Sequence, residues 1–223
     1  MLGAPVGAEA HHGQPRASVR AAAQACRRLR LRTNHPSQVW SGHCASVQLP
    51  TMSDRNPSVT NLDRYGNPAL PWSRALDQLA GTPSQAITFF LGTCSGDGDP
   101  HAAGVGAAFV DGEMYFTSSP AARKARDLVG RPRCTLSARM PGIDLVLEGA
   151  TERVIDPGTL DLVAARYREG GWPAQVEGDA FTAPFNAPSA GPPPWHLYRL
   201  TLRAATGVAT AEPFGATRWR FAR

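Results

Sequence analysis

Apolar and polar residues alternate along parts of the chain with the two-residue period of a β-strand. Ile143, Leu145 and Leu147 alternate with Asp144, in a strand predicted to reach Ile155. Other stretches rich in β-branched and aromatic residues are bounded by Gly, Asp and Pro turns, which also predicts strands. These further strands are predicted at residues 86–94, 101–110, 113–117, 132–139, 195–203 and 217–221.

Helical periodicity is confined to three short segments. Pro71 opens an amphipathic helix that ends before Gly81, and Ser119 caps a helix predicted over residues 120–129. Asp156 starts the third helix. Because helices and strands do not alternate regularly, the pattern predicts a mainly β fold with peripheral helices, a closed or partly open antiparallel barrel of around six strands.

Charge and composition change abruptly at Met52. Residues 1–51 contain six arginines and one acid, Glu9, whereas the 17 basic residues from Met52 onward meet 17 acidic ones. We interpret the first segment as a disordered or mis-annotated extension rather than a targeting peptide, residues 52–85 as an N-terminal arm with a short helix, and 86–223 as the main domain. A neutral main domain does not support nucleic acid as a partner.

Cysteine usage and hydropathy indicate the compartment. The four cysteines form no CxxC pair and no dense framework, which favours a reduced, cytoplasmic setting. No apolar stretch approaches the roughly 20 residues of a membrane span, so we expect a soluble protein without membrane contact.

Residues 170–194 are rich in proline and aromatic residues, and we interpret them as a lid, a dimer arm or a surface loop.

Three familiar motifs lack the structural context that they require. Cys94 stands in the pattern of a nucleophile elbow, but a Gly/Asp/Pro turn follows it where a helix is needed. Residues 104–109 begin like a dinucleotide fingerprint, yet they lack the third glycine and run into a strand. No recognised spacing links His101 and His196 to the cysteines, so no metal site is expected.

One segment has the residue types of a phosphate site. A strand end offers the hydroxyls of Thr117, Ser118 and Ser119, and the next helix carries Arg123 and Lys124, the only lysine of the chain. Cations near a helix start are unfavourable by some tenths of a kcal/mol. A phosphate held by the amides, hydroxyls and cations would offset that cost. The alternative interpretation is a solvated basic helix end.

These stretches together resemble the pyridoxamine 5'-phosphate oxidase-like and flavin/deazaflavin oxidoreductase families. The resemblance covers residues 86–221 and implies a six-stranded antiparallel split β-barrel of Greek-key type, a homodimer with its cofactor at the subunit interface. The residues that carry it are Thr88–Leu91, Pro100-His101, Asp111-Gly112, Met114–Thr117 and Arg123–Leu128, together with the ending Ala216–Phe221, which is similar to that of many actinobacterial members.

The resemblance also implies roles for individual residues. Phe116, Thr117 and Ser118 would lie along the cofactor, and Arg123 and Lys124 would bind its phosphate. The neighbouring strand would offer mainly backbone contacts to the ring, and the terminal strand would help to close the cleft. The residues implied on these two strands are His101, Ala102 and Ala103, and Trp219 and Arg220.

The chain departs from the family pattern at two places. Ala122 stands where a small residue, often serine, precedes the Arg-Lys pair, and residues 217–223 lack the substrate-binding pattern of the true pyridoxamine-phosphate oxidase. We therefore do not expect that vitamin-pathway enzyme. FMN and deazaflavin both fit, and the terminal resemblance favours deazaflavin.

Two functions follow from the resemblance. The first is a flavoprotein-type oxidoreductase that moves a hydride between a bound flavin or deazaflavin and a small organic substrate, with His101, Tyr198 or a water as proton donor. The second is a non-catalytic module on the same barrel that carries or senses a flavin, haem or another ligand.

Overall fold

The computed structural model describes residues 51–52, 54–81 and 86–222. The predicted N-terminal extension, apart from Thr51, lies outside the described residues. The helices are α1 (Trp72–Gly81), α2 (Arg123–Gly130) and α3 (Pro157–Glu169), with a 3-10 turn at Pro188–Ala190. The strands are β1 (Ser58–Asn61), β2 (Phe89–Cys94), β3 (Pro100–Val105), β4 (Ala107–Val110), β5 (Glu113–Ser118), β6 (Arg133–Met140), β7 (Ile143–Val154), β8 (Gln175–Glu177), β9 (Ala180–Thr182), β10 (His196–Ala209) and β11 (Ala216–Arg220).

Nine strands form one antiparallel sheet. Seven of them follow the order β1-β11-β10-β7-β6-β2-β3, and β5 pairs with both β10 and β4. β8 and β9 form a separate hairpin. The mainly β, antiparallel fold with peripheral helices is confirmed, and the sheet is not closed. Gly106 alone separates β3, which pairs with β2, from β4, which pairs with β5.

The predicted number of strands was too low. The single strand expected over residues 101–110 is divided at Gly106 because its two halves pair with different neighbours. β1 was not predicted: its four residues are all exposed and carry no alternation, and it is held by pairing with β11. β10 continues to Ala209, six residues beyond the predicted end, because it pairs with β7 along nearly its whole length.

The interior of the sheet holds the larger apolar cluster. β7 places Ile143, Leu145 and Leu147 inward, as its alternation predicts. The Trp219 ring, which is fully buried, lies 5.2 Å from that of Trp72, and its indole N–H donates to Leu70 O at 3.2 Å. Gly207 makes this packing feasible because a Cβ there would lie 2.7 Å from the Trp219 ring.

Helix α2 begins three residues later than predicted. The Ala122 N–H donates to Ser119 O at 3.0 Å, so Ser119 to Ala122 forms a turn with Pro120 in its second position. Ala122 is then extended, with φ −70° and ψ 147°, and the helix starts at Arg123. Ser119 therefore does not cap α2, which has no side-chain hydrogen bond at its N-cap.

Helix α3 begins as its sequence predicts and covers a second apolar cluster. Asp156 accepts a hydrogen bond from Thr159 N at 2.8 Å, and Pro157 follows it in the first turn. The cluster combines buried residues of α3 with Phe181 and Trp195 from the following segment. The proline-rich stretch is therefore partly ordered by the β8-β9 hairpin.

Within the described residues, no helix combines the length and apolar character needed to cross a membrane.

Candidate functional site

A cleft of about 870 Å³ lies between the sheet, the start of α2 and the segment that follows α3. The ends of β3 and β5 form its floor, and the approach to β10 forms one side. None of the described residues that line it is an aspartate or a glutamate, whereas Arg123 and Lys124 both line it. The cleft therefore has an excess of positive charge.

The two hydroxyl residues predicted to bind phosphate, Thr117 and Ser118, line this cleft, and so does Ser119, which was predicted to cap the helix. Ser118 and Ser119 are buried, and the Ser118 hydroxyl donates to Ser119 O at 3.2 Å. Thr117 is half-buried and its hydroxyl hydrogen-bonds with the side chain of Tyr167, which in turn donates to Gly106 O at 2.9 Å. Burial raises the pKa of Tyr167, so this phenol stays neutral and positions Thr117.

The start of α2 adds backbone donors to the hydroxyls. The first amides of a helix have no carbonyl partner inside it, which leaves the N–H groups of Arg123 and Lys124 free for an external acceptor. Ala122, at the N-cap, has no side-chain oxygen that could accept hydrogen bonds from these two N–H groups. We call Thr117, Ser118, Ser119, Arg123 and Lys124, with these two amides, the phosphate cradle.

Arg123 has an acidic neighbour on its own helix. Its Nε lies 4.0 Å from Asp127 Oδ2, and the same oxygen accepts a hydrogen bond from Thr93 at 2.9 Å. The Arg123 side chain keeps 47% of its surface exposed, so this long contact holds it only weakly. Arg123 can therefore turn toward an anion in the cleft while Asp127 stays bonded to Thr93.

Lys124 is the more unusual of the two cations. It is half-buried, and desolvation lowers its pKa below the ordinary value. No salt bridge to Lys124 is present among the residues that the structure describes. A partly buried ammonium without a carboxylate partner is unfavourable unless a ligand supplies the opposite charge.

The structure brings six of the ten predicted site residues to the cleft. His101 and Ala103 of β3 line it together with Thr117, Ser118, Arg123 and Lys124. Ala102 points to the opposite face of β3, where it lines a second concavity of about 850 Å³.

The other three predicted residues lie elsewhere in this chain. Phe116 is fully buried and stacks on Tyr198, with ring centroids 5.3 Å apart. Trp219 is part of the core, and Arg220 is exposed on β11 beside β1. No contact with the cleft is present for Phe116, Trp219 or Arg220 in the described chain, and their roles toward a cofactor stay predictions.

Four aromatic residues of the cleft were not identified as a group from the sequence. Tyr167 and Trp172 contact each other edge to face at 5.1 Å, and Trp172 lies 5.6 Å from Trp195. Phe185 is 60% exposed, and its carbonyl accepts the indole N–H of Trp172 at 2.9 Å. We call these four residues the aromatic wall. Tyr167 lies on α3 and Trp195 begins a predicted strand, whereas Trp172 and Phe185 come from a stretch without periodicity, where the aromatic content was the only signal.

Comparison with known protein families gives one match. A family model described as pyridoxamine 5'-phosphate oxidase matches residues 76–207, which is more than half of the chain. The matched region contains the whole phosphate cradle and the aromatic wall. A comparison with curated proteins gave no match.

Solved structures with a similar fold have low sequence identity to this chain. A pyridoxamine 5'-phosphate oxidase-related, FMN-binding protein from Nostoc punctiforme is 18% identical, over 67% of this chain and 90% of that one, with a TM-score of 0.42. An F420 reductase is 21% identical, over 58% and 94%, with a TM-score of 0.40. A heme-binding protein from Mycobacterium smegmatis is 17% identical, over 66% and 57%, with a TM-score of 0.46.

Proposed function

Because the chain belongs to the pyridoxamine 5'-phosphate oxidase family, we propose that it is a flavin- or deazaflavin-dependent oxidoreductase. It transfers a hydride between the bound cofactor and a small organic substrate. The observation that carries the proposal is Lys124, a half-buried cation in a cleft whose described lining residues include no carboxylate. A phosphate-bearing cofactor supplies the negative charge that this ammonium lacks.

The residues of the cradle have different roles in binding a phosphate. The first amides of α2 donate hydrogen bonds, and Arg123 and Lys124 neutralise the charge. The hydroxyls of Thr117 and Ser118, which hydrogen-bond to Tyr167 and to Ser119 O in the chain alone, would rotate toward the phosphate. Tyr167 holds Thr117 in place through its own hydroxyl. The departure at Ala122 removes one hydroxyl, yet Ser119 lines the same cleft. The donor set therefore fits a phosphate.

The remainder of the cleft suits a flat ring. Along β3 the lining includes His101, Ala103 and Gly104, and small side chains leave the backbone open to close approach. A bound flavin or deazaflavin would supply the hydride chemistry, and the chain supplies orientation and shelter from water. His101 is the proton donor that we propose, since it lines the cleft and Tyr198 does not.

We further propose a homodimer with the cofactor at the subunit interface and a cytoplasmic location. Among the strands that the structure describes, β3 pairs only with β2, and it presents small residues, which supports contact with a second copy along this edge. Cys94 and Cys134 are free thiols, which supports a reduced compartment. Deazaflavin remains our preferred cofactor, from the resemblance of the terminal strand.

The test is a fluorescence titration of the full chain with FMN and with a deazaflavin coenzyme. In Arg123→Ala/Lys124→Ala we expect binding to weaken by about a hundredfold or more, because two charge-assisted contacts are lost. Arg126→Ala/Arg139→Ala removes the same charge from exposed positions outside the cleft and should bind as the wild type does. Binding that is equal in both double variants contradicts the cradle.

Turnover separates the enzyme from a non-catalytic carrier on the same fold. The cofactor-loaded protein is reduced, and its absorbance is followed while candidate electron acceptors are added. Reoxidation that is faster than that of the free cofactor supports the oxidoreductase. Tight binding without such acceleration by any acceptor favours a carrier or sensor.

A further inference from the structure

A second group of cations lies outside the cleft. Arg133 and Arg203 both line the second concavity of about 850 Å³ and a smaller neighbouring one of about 400 Å³, so they stand between the two. Arg55 lines the smaller concavity with them. We call Arg55, Arg133 and Arg203 the arginine cluster.

A β-bulge in β10 brings Arg203 to this face of the sheet. Leu202 and Ala205 are both buried in the core. A regular strand has one outward residue between two inward ones, and here there are two, Arg203 and Ala204. The pairing with β7 agrees, because its register shifts between Leu202 and Ala204. Bulges are frequent beside functional sites, where they re-aim a side chain.

Backbone contacts hold the bulge in place. Gly149 pairs with Leu202, and a Cβ at Gly149 would lie 2.3 Å from a backbone oxygen of β10, so the two strands need a glycine here. Phe221 N donates to Arg203 O at 3.0 Å. Arg55 Nη1 donates to Leu202 O at 3.0 Å, which holds Arg55 against the bulge that carries Arg203.

Arg133 reaches the cluster from the start of β6. It pairs with Ala150, which in turn pairs with Thr201 of β10. Ala150 lines the smaller concavity, and its short side chain leaves space between Arg133 and β10. The three arginines therefore surround a gap that no large side chain of β7 fills.

Arg133 and Arg203 have no carboxylate partner among the described residues. Glu148 is the only acidic residue among those described that line either concavity, and its Oε2 accepts a hydrogen bond from Arg218 Nη2 at 2.9 Å. No salt bridge to Arg133 or Arg203 is present in the part of the chain that the structure describes. An anion bound between these two cations would relieve their mutual repulsion.

We propose that the arginine cluster binds a phosphate or diphosphate ester, at a site separate from the cofactor cleft. A guanidinium group donates bidentate hydrogen bonds to phosphate oxygens. Two cations without a carboxylate partner match a group with two or more negative charges, which a single carboxylate does not provide. Thr135, exposed on the wall of the larger concavity, adds a hydroxyl donor, and Phe221 adds apolar surface to the smaller one.

The test is a calorimetric titration of the full chain with inorganic pyrophosphate. Because the phosphate cradle can bind the same anion, the titration starts from Arg123→Ala/Lys124→Ala, which lacks the cations of the cradle. We expect this variant to keep one pyrophosphate site. Adding Arg133→Gln/Arg203→Gln should weaken the remaining site by about tenfold or more, because two charge-assisted contacts are lost.

Two further variants in the same background separate a built site from diffuse attraction. Arg126→Gln/Arg139→Gln removes the same charge from exposed positions that line neither concavity, and it should leave the affinity unchanged. Arg133→Lys/Arg203→Lys keeps both charges but loses the planar guanidinium groups, so it should bind several-fold more weakly. Circular dichroism verifies folding, and Arg133→Gln alone, at an exposed position, repeats the test if Arg203 is needed for folding.

Three results would overturn the inference. The first is that the chain without the cradle cations binds no pyrophosphate, and the second is that Arg133→Gln/Arg203→Gln binds it as tightly as the control does. The third is that the lysine variant binds as tightly as its arginine parent, which would indicate diffuse attraction only. None of these results bears on the proposed oxidoreductase, because FMN binding depends on Arg123 and Lys124.

Discussion

The phosphate cradle and the aromatic wall lie in one cleft but are held by different forces. Except for the exposed Phe185, the wall belongs to an apolar cluster that also includes Phe181 and the inner face of α3. The cradle places two cations at the start of a helix, where the backbone dipole disfavours them, and one of them is half-buried without a carboxylate partner. Burial of the wall thus stabilises the fold, whereas the unpaired positive charge of the cradle destabilises it.

This difference shows which residues folding requires and which a ligand requires. Packing accounts for the position of Phe181 without any ligand, because it is fully buried among other aromatic rings. Packing does not account for Lys124. Substitutions that separate stability from binding therefore sharpen the comparison, and those behind the wall should have the largest effect on stability.

Phe181→Ala should have the largest effect on stability. The side chain is fully buried and contacts Tyr167 and Trp172, so its removal leaves a cavity behind the wall. We expect the free energy of unfolding to fall by about 3–5 kcal/mol. Urea unfolding followed by circular dichroism measures this change.

The matched control for Phe181→Ala is Phe185→Ala on the same segment. Because Phe185 is mostly exposed, the free energy of unfolding should change by less than about 1 kcal/mol. A loss in Phe181→Ala no larger than that in Phe185→Ala would show that the cluster behind the wall does not stabilise the fold.

Tyr167→Phe should have an intermediate effect, because this hydroxyl joins the two sides of the cleft. It donates to Gly106 O at 2.9 Å and bonds with Thr117, so its loss affects the α3 cluster and the cradle together. We expect the free energy of unfolding to fall by about 1 kcal/mol and cofactor affinity to fall several-fold. Chemical unfolding and FMN titration of the same samples measure both.

Tyr65→Phe provides the comparison for that substitution. Tyr65 is 93% exposed, so the same loss of a hydroxyl should leave both quantities unchanged. A stability loss in Tyr167→Phe with cofactor affinity intact would mean that Thr117 needs no positioning.

The sequence predicted the cradle better than the wall for a physical reason. Thr117, Ser118, Arg123 and Lys124 stand within eight residues, so a strand end followed by a helix suffices to bring them together. The wall needs the end of α3 to meet residues before β10. Contacts between Trp172 and Trp195 span more than twenty residues, with no periodicity between them to predict their approach.

The alternation of apolar and polar residues likewise predicted a strand only where one face of that strand is buried and the other is not. β7 alternates because one of its faces is buried, and its start at Ile143 was predicted correctly. β1 is exposed at every position, and only its hydrogen bonds to β11 define it. Ser119 looked like a helix cap by residue type, but Pro120 turned the chain there and moved the start of α2 to Arg123.

Lys124→Met should have the smallest effect and the opposite sign. The variant keeps the length and removes a charge that is disfavoured by desolvation and by the helix start. We expect the free energy of unfolding at pH 7 to rise by a few tenths to about 1 kcal/mol, while FMN binding weakens. Lys124→Arg, which keeps the charge, should show no such gain in stability.

The pH dependence of that gain identifies its cause. Desolvation lowers the pKa of Lys124 in the folded chain below its value in the unfolded chain, so the folded state binds this proton less tightly. The charge therefore destabilises the fold at neutral pH, and this penalty is relieved as pH rises through the lowered pKa toward the ordinary value of 10.5. Urea unfolding at pH 7 and pH 10 should show the advantage of Lys124→Met shrinking. A gain in the free energy of unfolding that is absent at pH 7, or that grows with pH, would mean that the charge of Lys124 does not destabilise the fold.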